Sequence, residues 1–169
     1  MLFHLSKNVN SRFSYKLLAA AVWLLSVACG DNNSAATAAE IVPPPPGARQ
    51  YDPVQLARGE ELYRQYCAVC HLERGSGTVN WRQPGADGKF PPPPLNGTAH
   101  TWHHPWVQLH SVIKQGGPPG QSNMPAWQDR LNDQQIDDII AWLTSLWSDE
   151  VYAMWYERDR KAREYLKNR

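Results

Sequence analysis

The amino-acid sequence predicts an all-α fold built around one bound group, and three observations support this prediction. Apolar and small residues recur at spacings of three and four near residues 53–73, 105–115, 132–146 and 152–156, the pattern of helices with one buried face. Two cysteines and a histidine lie at the end of the first segment. The stretch over residues 75–98 is rich in glycine and proline, and so long an irregular segment needs a large apolar body to pack against.

The motif Cys67-Ala68-Val69-Cys70-His71 identifies the bound group. Two thiols separated by two residues can each add across one vinyl group of haem, and the next histidine lies beneath the iron, so the motif predicts one covalent haem c. A structural zinc site would need further cysteine or histidine ligands at matching spacing, and a thioredoxin-like redox pair would need a βαβ context. The sequence shows neither, so we interpret the motif as a haem site.

Length and charge limit the number of domains and the kinds of partner that the chain could have. The 169 residues suffice for one domain with extensions, and 17 basic against 16 acidic residues give a net charge of +1. This balance gives no reason to expect binding to nucleic acid or, through the whole chain, to a membrane surface. Cys67 and Cys70 are assigned to haem and Cys29 to an export signal, which leaves no pair for a disulfide.

Residues 1–29 have the layout of an export signal. Three basic residues and no acidic one precede an apolar run over residues 17–28, which is shorter than the roughly 20 residues of a membrane-spanning helix. The run ends at Cys29 and resembles a bacterial lipoprotein signal, in which this cysteine is acylated, although the leucine lies four residues before it instead of three. Lipidation of Cys29 is the favoured outcome; cleavage near residues 36–38 with release and retention as an uncleaved anchor are the alternatives.

A flexible, proline-rich tether over residues 30–50 separates this signal from a haem domain over residues 51–148. The carboxylate of Asp52 can cap the first helix, and Pro53 suits its first position. We expect this helix to continue through the haem motif and to end near Gly75.

Two later helices complete the domain, and a third follows it. The earlier of the two domain helices is expected to begin at Pro105 with His104 as its cap. The later one is expected to begin at Asn132 with Gln135 as a capping-box partner. Residues 149–169 predict an appended amphipathic helix. We favour packing of this helix against the domain over docking to a partner or a membrane surface.

These features, in this order over about residues 52–148, resemble a class I c-type cytochrome, a small all-α protein with one haem. Gly59 and Tyr63 lie eight and four residues before Cys67, as the helix-crossing glycine and aromatic of that family do, and Trp142 takes the place of the aromatic on the last helix. The resemblance implies the cytochrome c fold, in which these helices cross and a glycine permits their close approach.

The segment Pro93-Pro94-Leu95-Asn96-Gly97 resembles the loop of that family in which a proline carbonyl binds the proximal histidine. The resemblance implies that Pro93 accepts a hydrogen bond from Nδ1–H of His71 and so turns Nε2 toward the iron. Within a run of prolines, Pro94 is the alternative, one position on.

The sixth iron ligand is assigned to Met124, whose surroundings Asn-Met-Pro-Ala-Trp resemble the distal-ligand loop of the family. Met1 leaves with the signal, and Met154 lies in the C-terminal extension. A histidine in place of Met124, or a separate copper or zinc site, is the rival interpretation. The histidines concerned are His100, His103, His104 and His110.

Iron with both axial positions filled can only gain or lose an electron, so we predict a one-electron carrier and not an enzyme. It would act between redox donor and acceptor proteins on the periplasmic side of the bacterial inner membrane, where haem of this kind is attached in the family. A haem-based ligand sensor or small haem enzyme, which needs a labile sixth ligand, and a cytochrome subunit of a larger oxidoreductase are the alternatives. Unranked candidates to hold the haem propionates are Trp81, Arg82, Trp102, Trp106 and Trp127.

Overall fold

The structure, a computed structural model, describes Arg49 and residues 51–169, so the predicted export signal, Cys29 and the rest of the tether lie outside the described residues. Within this part of the chain the only β-type pairing is an isolated bridge between Phe90 and Ser122, and the predicted all-α class is confirmed. The helices are α1 (Pro53–Tyr66), α2 (Ala68–His71), α3 (Trp106–Gln115), α4 (Asp133–Ser145) and α5 (Asp149–Lys167). Two 3-10 turns, Glu73–Gly75 and Thr101–His103, lie between them.

The predicted caps of α1 and α4 are confirmed. The carboxylate of Asp52 accepts a hydrogen bond from the amide of Val54, and Pro53 is the first residue of α1. At the start of α4, Asn132 and Gln135 exchange side-chain to backbone hydrogen bonds of 2.9 Å in both directions. These local contacts satisfy amide groups that a helix leaves unpaired at its first turn.

Two expectations about helix ends are wrong. The first helix stops at Tyr66, and Ala68–His71 of the haem motif form the separate short helix α2, because Cys67 between them has φ −113°, displaced from the helical value of about −63°. Leu72 then ends α2 at φ 59°, a value that favours glycine. At α3 the capping residue is Pro105 without a side-chain cap, so His104 does not cap it.

Helices α1 and α4 cross in direct contact at Gly59. A methyl group built on Gly59 would lie 2.0 Å from the carbonyl oxygen of Asp138 and 2.9 Å from Cβ of Trp142, so only glycine fits. One turn on, the ring of Tyr63 packs against Trp142 with a centroid separation of 4.6 Å. The apolar core around this crossing includes Tyr63, Ile113, Leu131, Ile136, Ile139, Ile140, Trp142 and Leu143.

Helix α5 packs against the domain, as the favoured interpretation of the C-terminal segment expected. Tyr152 and Trp155 are buried, and the indole of Trp155 donates a 2.9 Å hydrogen bond to the carbonyl of His104. The buried carboxylate of Asp159 accepts a 2.7 Å bond from the amide of Trp106 and so serves the first turn of α3 from another helix. In the described part of the chain no helix is both long enough and apolar enough to cross a bilayer.

Candidate functional site

A cavity of about 1080 Å³ lies between the irregular segment and helices α2, α3 and α4. This volume exceeds the roughly 300–1,000 Å³ of sites for drug-sized ligands, as a site for a macrocycle requires. Leucine, isoleucine, valine, proline, phenylalanine, tyrosine and tryptophan make up half of the residues on its wall, and the surface that they present to a bound group is mainly apolar. The predicted site residues on this wall are Cys67, Cys70, His71, Pro93 and Met124.

The two cysteines of the motif are free thiols on the cavity wall. Cys67 is half-buried and Cys70 is exposed. Burial, and secondarily the neighbouring Cys70, raise the pKa of Cys67 to about 12, which keeps its thiol protonated at neutral pH. Cys67 lies between the two helices, as the last cap of α1 and the first cap of α2, and Cys70 lies on the short helix α2.

His71 is buried, with its ring fixed by one hydrogen bond. Its Nδ1 lies 3.0 Å from the carbonyl oxygen of Pro93, so Nδ1 carries the proton and donates it, and Nε2 is the unprotonated nitrogen. Burial lowers the pKa of His71, while the bond to Pro93 opposes that shift. The neutral imidazole is the form that binds metal ions.

The loop that carries Pro93 is held by donors to four consecutive carbonyl groups. Thr78 donates to Pro92 through both its amide and its hydroxyl, His71 to Pro93, Thr101 to Pro94 and the indole of Trp147 to Leu95. The hydroxyl of Thr101 donates a 3.0 Å hydrogen bond to the carbonyl of Pro94, and His71 bonds to the carbonyl of Pro93 instead. Sequence patterns did not indicate Thr101, seven residues after Pro94, or Trp147, 52 residues after Leu95, because donors to an irregular segment follow no periodic spacing.

A glycine close to the motif lets this loop approach. A methyl group on Gly77 would lie 2.2 Å from the nitrogen of Pro94, so a larger residue would push the proline run away from His71. The amide of Gly77 bonds to the carbonyl of His71, and the hydroxyl of Tyr63 donates a 2.7 Å bond to the carbonyl of Leu72. The backbone after the motif is therefore fixed on both sides.

Met124 is half-buried on the cavity wall, in a loop bound to the end of α3. Its amide donates to the hydroxyl of Ser122, and its carbonyl accepts from the amide of Gly117, both at 3.0 Å. A methyl group on Gly116 would lie 3.0 Å from the carbonyl oxygen of Met124, so the loop needs this glycine for its approach. Met154 lies on α5, is 47% exposed and is not on the cavity wall.

The rival histidines divide into two groups. His100 and His104 lie on the cavity wall, whereas His103 and His110 do not. His110 lies on α3 beside Asp133 and Asp137 of α4, with its Nε2 3.5 Å and 3.8 Å from a carboxylate oxygen of each. Among the residues that the structure describes, no group of three or more histidine, cysteine or acidic residues is arranged to hold a metal ion.

The donor set of the cavity fits haem c. Two thiols three residues apart, an imidazole whose other nitrogen is already bonded and a thioether line one apolar cavity. Sulfur and imidazole ligands are those of haem iron in c-type cytochromes. When bound, haem supplies reversible one-electron chemistry at its iron.

Comparison with known proteins agrees with this fit. Residues 54–143 match the family described as Cytochrome C oxidase, cbb3-type, subunit III. The cytochrome c subunit of alcohol dehydrogenase (quinone) from Gluconobacter oxydans (strain 621H) is 28% identical over 100 residues, 55% of this chain and 19% of that protein. The gluconate 2-dehydrogenase cytochrome c subunit from Pantoea cypripedii is 30% identical over 107 residues, 56% of this chain and 21% of that protein.

The chain therefore spans about a fifth of the length of each of these relatives. No solved structure matches it.

Proposed function

This chain belongs to the family described as Cytochrome C oxidase, cbb3-type, subunit III, and we propose that its haem iron is held between His71 and Met124. The chain is a c-type cytochrome that carries haem c and transfers electrons. Cys67 and Cys70 form the two thioether bonds in this proposal, and Pro93 orients the imidazole of His71. The observation that supports it best is the bond from His71 Nδ1 to Pro93, which directs Nε2 to the metal.

Each residue of the site has a defined task in electron transfer. His71 and Met124 would hold the iron from its two sides in this proposal and would leave no position open to substrate. The thioether of Met124 is a soft, neutral ligand that favours Fe(II) and raises the reduction potential. The amide of Gly117 donates to the carbonyl of Met124 and holds its loop against the end of α3, and the amide of Met124 donates to the hydroxyl of Ser122 within the loop.

The second part of the proposal concerns the redox partners. The two relatives are named as cytochrome c subunits of an alcohol dehydrogenase and of gluconate 2-dehydrogenase. We infer that this chain accepts single electrons from a dehydrogenase of the same kind and passes them to an acceptor of the respiratory membrane, either as a separate carrier or as a subunit. Export to the periplasmic side, a lipid at Cys29 and the tether of residues 30–50 would keep it near that membrane.

Replacement of Met124 tests the axial ligation. The Met124→Ala protein should lose the far-red charge-transfer band between methionine sulfur and Fe(III), and its reduced form should bind carbon monoxide at neutral pH. Met154→Ala is the matched control, because it removes the other methionine of the described chain without touching the cavity wall, and it should retain the band. Persistence of the band in Met124→Ala would refute the assignment, and rapid binding of carbon monoxide by the unmodified protein would favour a ligand sensor.

Mass spectrometry of the mature N-terminus tests the anchor. A diacylglyceryl group on Cys29 is expected, and a mature chain that begins at Ala39 would refute lipidation without affecting the axial ligation.

A further inference from the structure

Helix α5 packs against the domain by one side and leaves a neighbouring side exposed. Tyr152, Trp155 and Asp159 are its buried residues. The neighbouring side carries five exposed side chains at spacings of three and four residues, which places them in one line along the helix. We call this line the basic stripe, and it consists of Met154, Arg158, Lys161, Tyr165 and Arg169.

The basic stripe combines cationic and apolar side chains and contains no acidic one. Met154 is 47% exposed, and Tyr165 is 61% exposed. The guanidinium of Arg169 lies 5.2 Å from the centroid of the Tyr165 ring. From Met154 to Arg169 the stripe is about 22 Å long at the rise of an α-helix. It therefore offers positive charge and apolar surface together along one exposed line.

The positive charges of the basic stripe are not neutralised within the chain, in contrast to one on the opposite side of α5. Arg160 pairs with Glu157 at 3.0 Å and with Glu164 at 2.5 Å. Among the described residues, Arg158 and Lys161 make no such ion pair. The helix dipole favours cations in the last turn of a helix, but both residues lie more than one turn before the end of α5. Neither an ion pair nor the dipole therefore accounts for these two charges.

The start of α5 lies where the predicted tether enters the domain. Arg49, near the end of that tether, donates a 2.9 Å hydrogen bond to the carboxylate of Asp149, the first residue of α5. Arg49 follows Cys29 by 20 residues, which span at most about 70 Å when fully extended. A lipid at Cys29 would therefore hold the α5 side of the domain within reach of the bilayer. Helix α5 itself lies beyond residues 54–143, the part of the chain that matches the cytochrome family.

We propose that the basic stripe docks on the anionic headgroups of a phospholipid bilayer. This inference rests on the proposed function, since export and the tether bring the domain to a membrane. Guanidinium and ammonium groups bind phosphate oxygens, and each Lys or Arg near an anionic bilayer strengthens binding about fivefold. Met154 and Tyr165 would contact the region between headgroups and acyl chains, where tyrosine is enriched in membrane proteins.

This contact would orient the domain as well as hold it. A lipid at the end of a tether limits the distance of the domain from the bilayer, and a second contact along α5 also limits its rotation. No member of the basic stripe lies on the cavity wall, so the cavity would stay accessible to redox partners. An acidic protein is the other class of occupant, but the entry of the tether beside α5 favours the bilayer.

Cosedimentation of the purified full-chain holoprotein with vesicles tests the proposal, with haem absorbance of the pellet as the measure. Every sample carries Cys29→Ser, so that no acyl chain contributes. The protein should bind vesicles of equal parts phosphatidylglycerol and phosphatidylcholine more tightly than vesicles of phosphatidylcholine. The preference should vanish at about 1 M salt, where the Debye length is about 3 Å. Arg158→Gln/Lys161→Gln should lower the affinity for the mixed vesicles about 25-fold, which is about fivefold for each charge.

Arg160→Gln/Lys167→Gln is the matched control, because it removes two exposed positive charges from the other side of the same helix. Its affinity should stay within about twofold of the unmodified stripe, since the width of a helix, about 10 Å, equals the Debye length at about 0.1 M salt. Equal losses in the two double variants would overturn the inference. Equal binding of the unmodified stripe to both kinds of vesicle would also overturn it, and this is the result expected if the stripe binds an acidic protein instead.

The methionine charge-transfer band, recorded on the same samples, separates this inference from the axial ligation. A protein that shows the band but no preference for the mixed vesicles refutes only the docking. A protein that shows the preference but lacks the band refutes only the ligation by Met124.

Discussion

Replacement of Gly59 by alanine should destabilise the protein strongly, although alanine is the better helix former. The new methyl group would lie 2.0 Å from the carbonyl oxygen of Asp138 and 2.9 Å from Cβ of Trp142, whereas ordinary contacts are 3.4–4 Å. The first of these contacts is with backbone, so no side-chain rotation relieves it. Helices α1 and α4 would have to separate by about 1.4 Å at their crossing, the difference between 2.0 and 3.4 Å.

The expected loss can be estimated from opposing terms. Overpacking of a core costs about 1–3 kcal/mol and occasionally more, and a gap of roughly 0.5–1 Å forfeits about a quarter to a half of each affected contact. The separation would also loosen the packing of Tyr63 on Trp142. The higher helix propensity of alanine adds about 1 kcal/mol to the free energy of unfolding and offsets part of this loss. We expect the free energy of unfolding of Gly59→Ala to fall by roughly 3 kcal/mol.

Equilibrium unfolding of the holoprotein in urea, followed by circular dichroism and by haem absorbance, measures this quantity. Glu60→Ala is the matched control, because Glu60 is the next residue of the same helix and is exposed. It should change the free energy by less than about 0.5 kcal/mol. A Gly59→Ala protein that is more stable by about 1 kcal/mol would show that helix propensity alone decides at this position and that the crossing can relax.

Three further substitutions test contacts elsewhere. Asp159→Ala should cost about 3–5 kcal/mol in urea unfolding, because it removes a buried carboxylate that binds the amide of Trp106 and Arg163. Arg49→Ala should cost about 1.5–3 kcal/mol, because its guanidinium binds the carbonyl groups of Thr144 in the last turn of α4 and of Trp147 just after it. Burial raises the pKa of Asp137 to about 6, so its charge opposes folding, and Asp137→Asn should gain up to about 3 kcal/mol over the unmodified protein between pH 4 and pH 7.

The sign of the last effect follows from the direction of that shift. The carboxylic acid of Asp137 favours the folded state at low pH, and this contribution is lost as pH rises through about 6. A pH-independent difference between Asp137→Asn and the unmodified protein would contradict the assigned pKa. Glu157→Ala, on the exposed side of α5, is the control for Asp159→Ala and should have little effect. Equal stability of the two α5 variants would show that the amide of Trp106 needs no partner.

The parts of the fold that depend on neighbouring residues could be predicted from the sequence. The caps at Asp52 and Asn132 are made by side chains within three residues of the groups they satisfy, so the local pattern contains both partners. The cap of α3 was predicted wrongly for the opposite reason. Its first amide is bound by Asp159, 53 residues away on α5, and the carbonyl of His104 instead accepts a hydrogen bond from the indole of Trp155. Short-range sequence patterns cannot show which distant carboxylate will bind the first amide of a helix.

The same distinction holds at the site. The haem motif is recognisable because its ligands are adjacent in the chain, and Pro93 and Met124 are recognisable by their resemblance to family loops. The register of the proline run depends on the hydroxyl of Thr101, and the ring contact between Trp81 and His100 joins residues about 20 positions apart. Both depend on tertiary packing, and neither leaves a periodic signal.

The bonds made by Arg49 have a consequence for the order of folding. They join Arg49, two residues before the domain, to carbonyl groups 95 and 98 residues later, and the indole of Trp147 donates to the carbonyl of Leu95, 52 residues earlier. Contacts of such high sequence separation form only after the chain entropy of large loops has been lost, which places them late in folding. We therefore expect the two ends of the domain to join last, which leaves the segment that carries the cysteines of the motif accessible to solvent during most of folding.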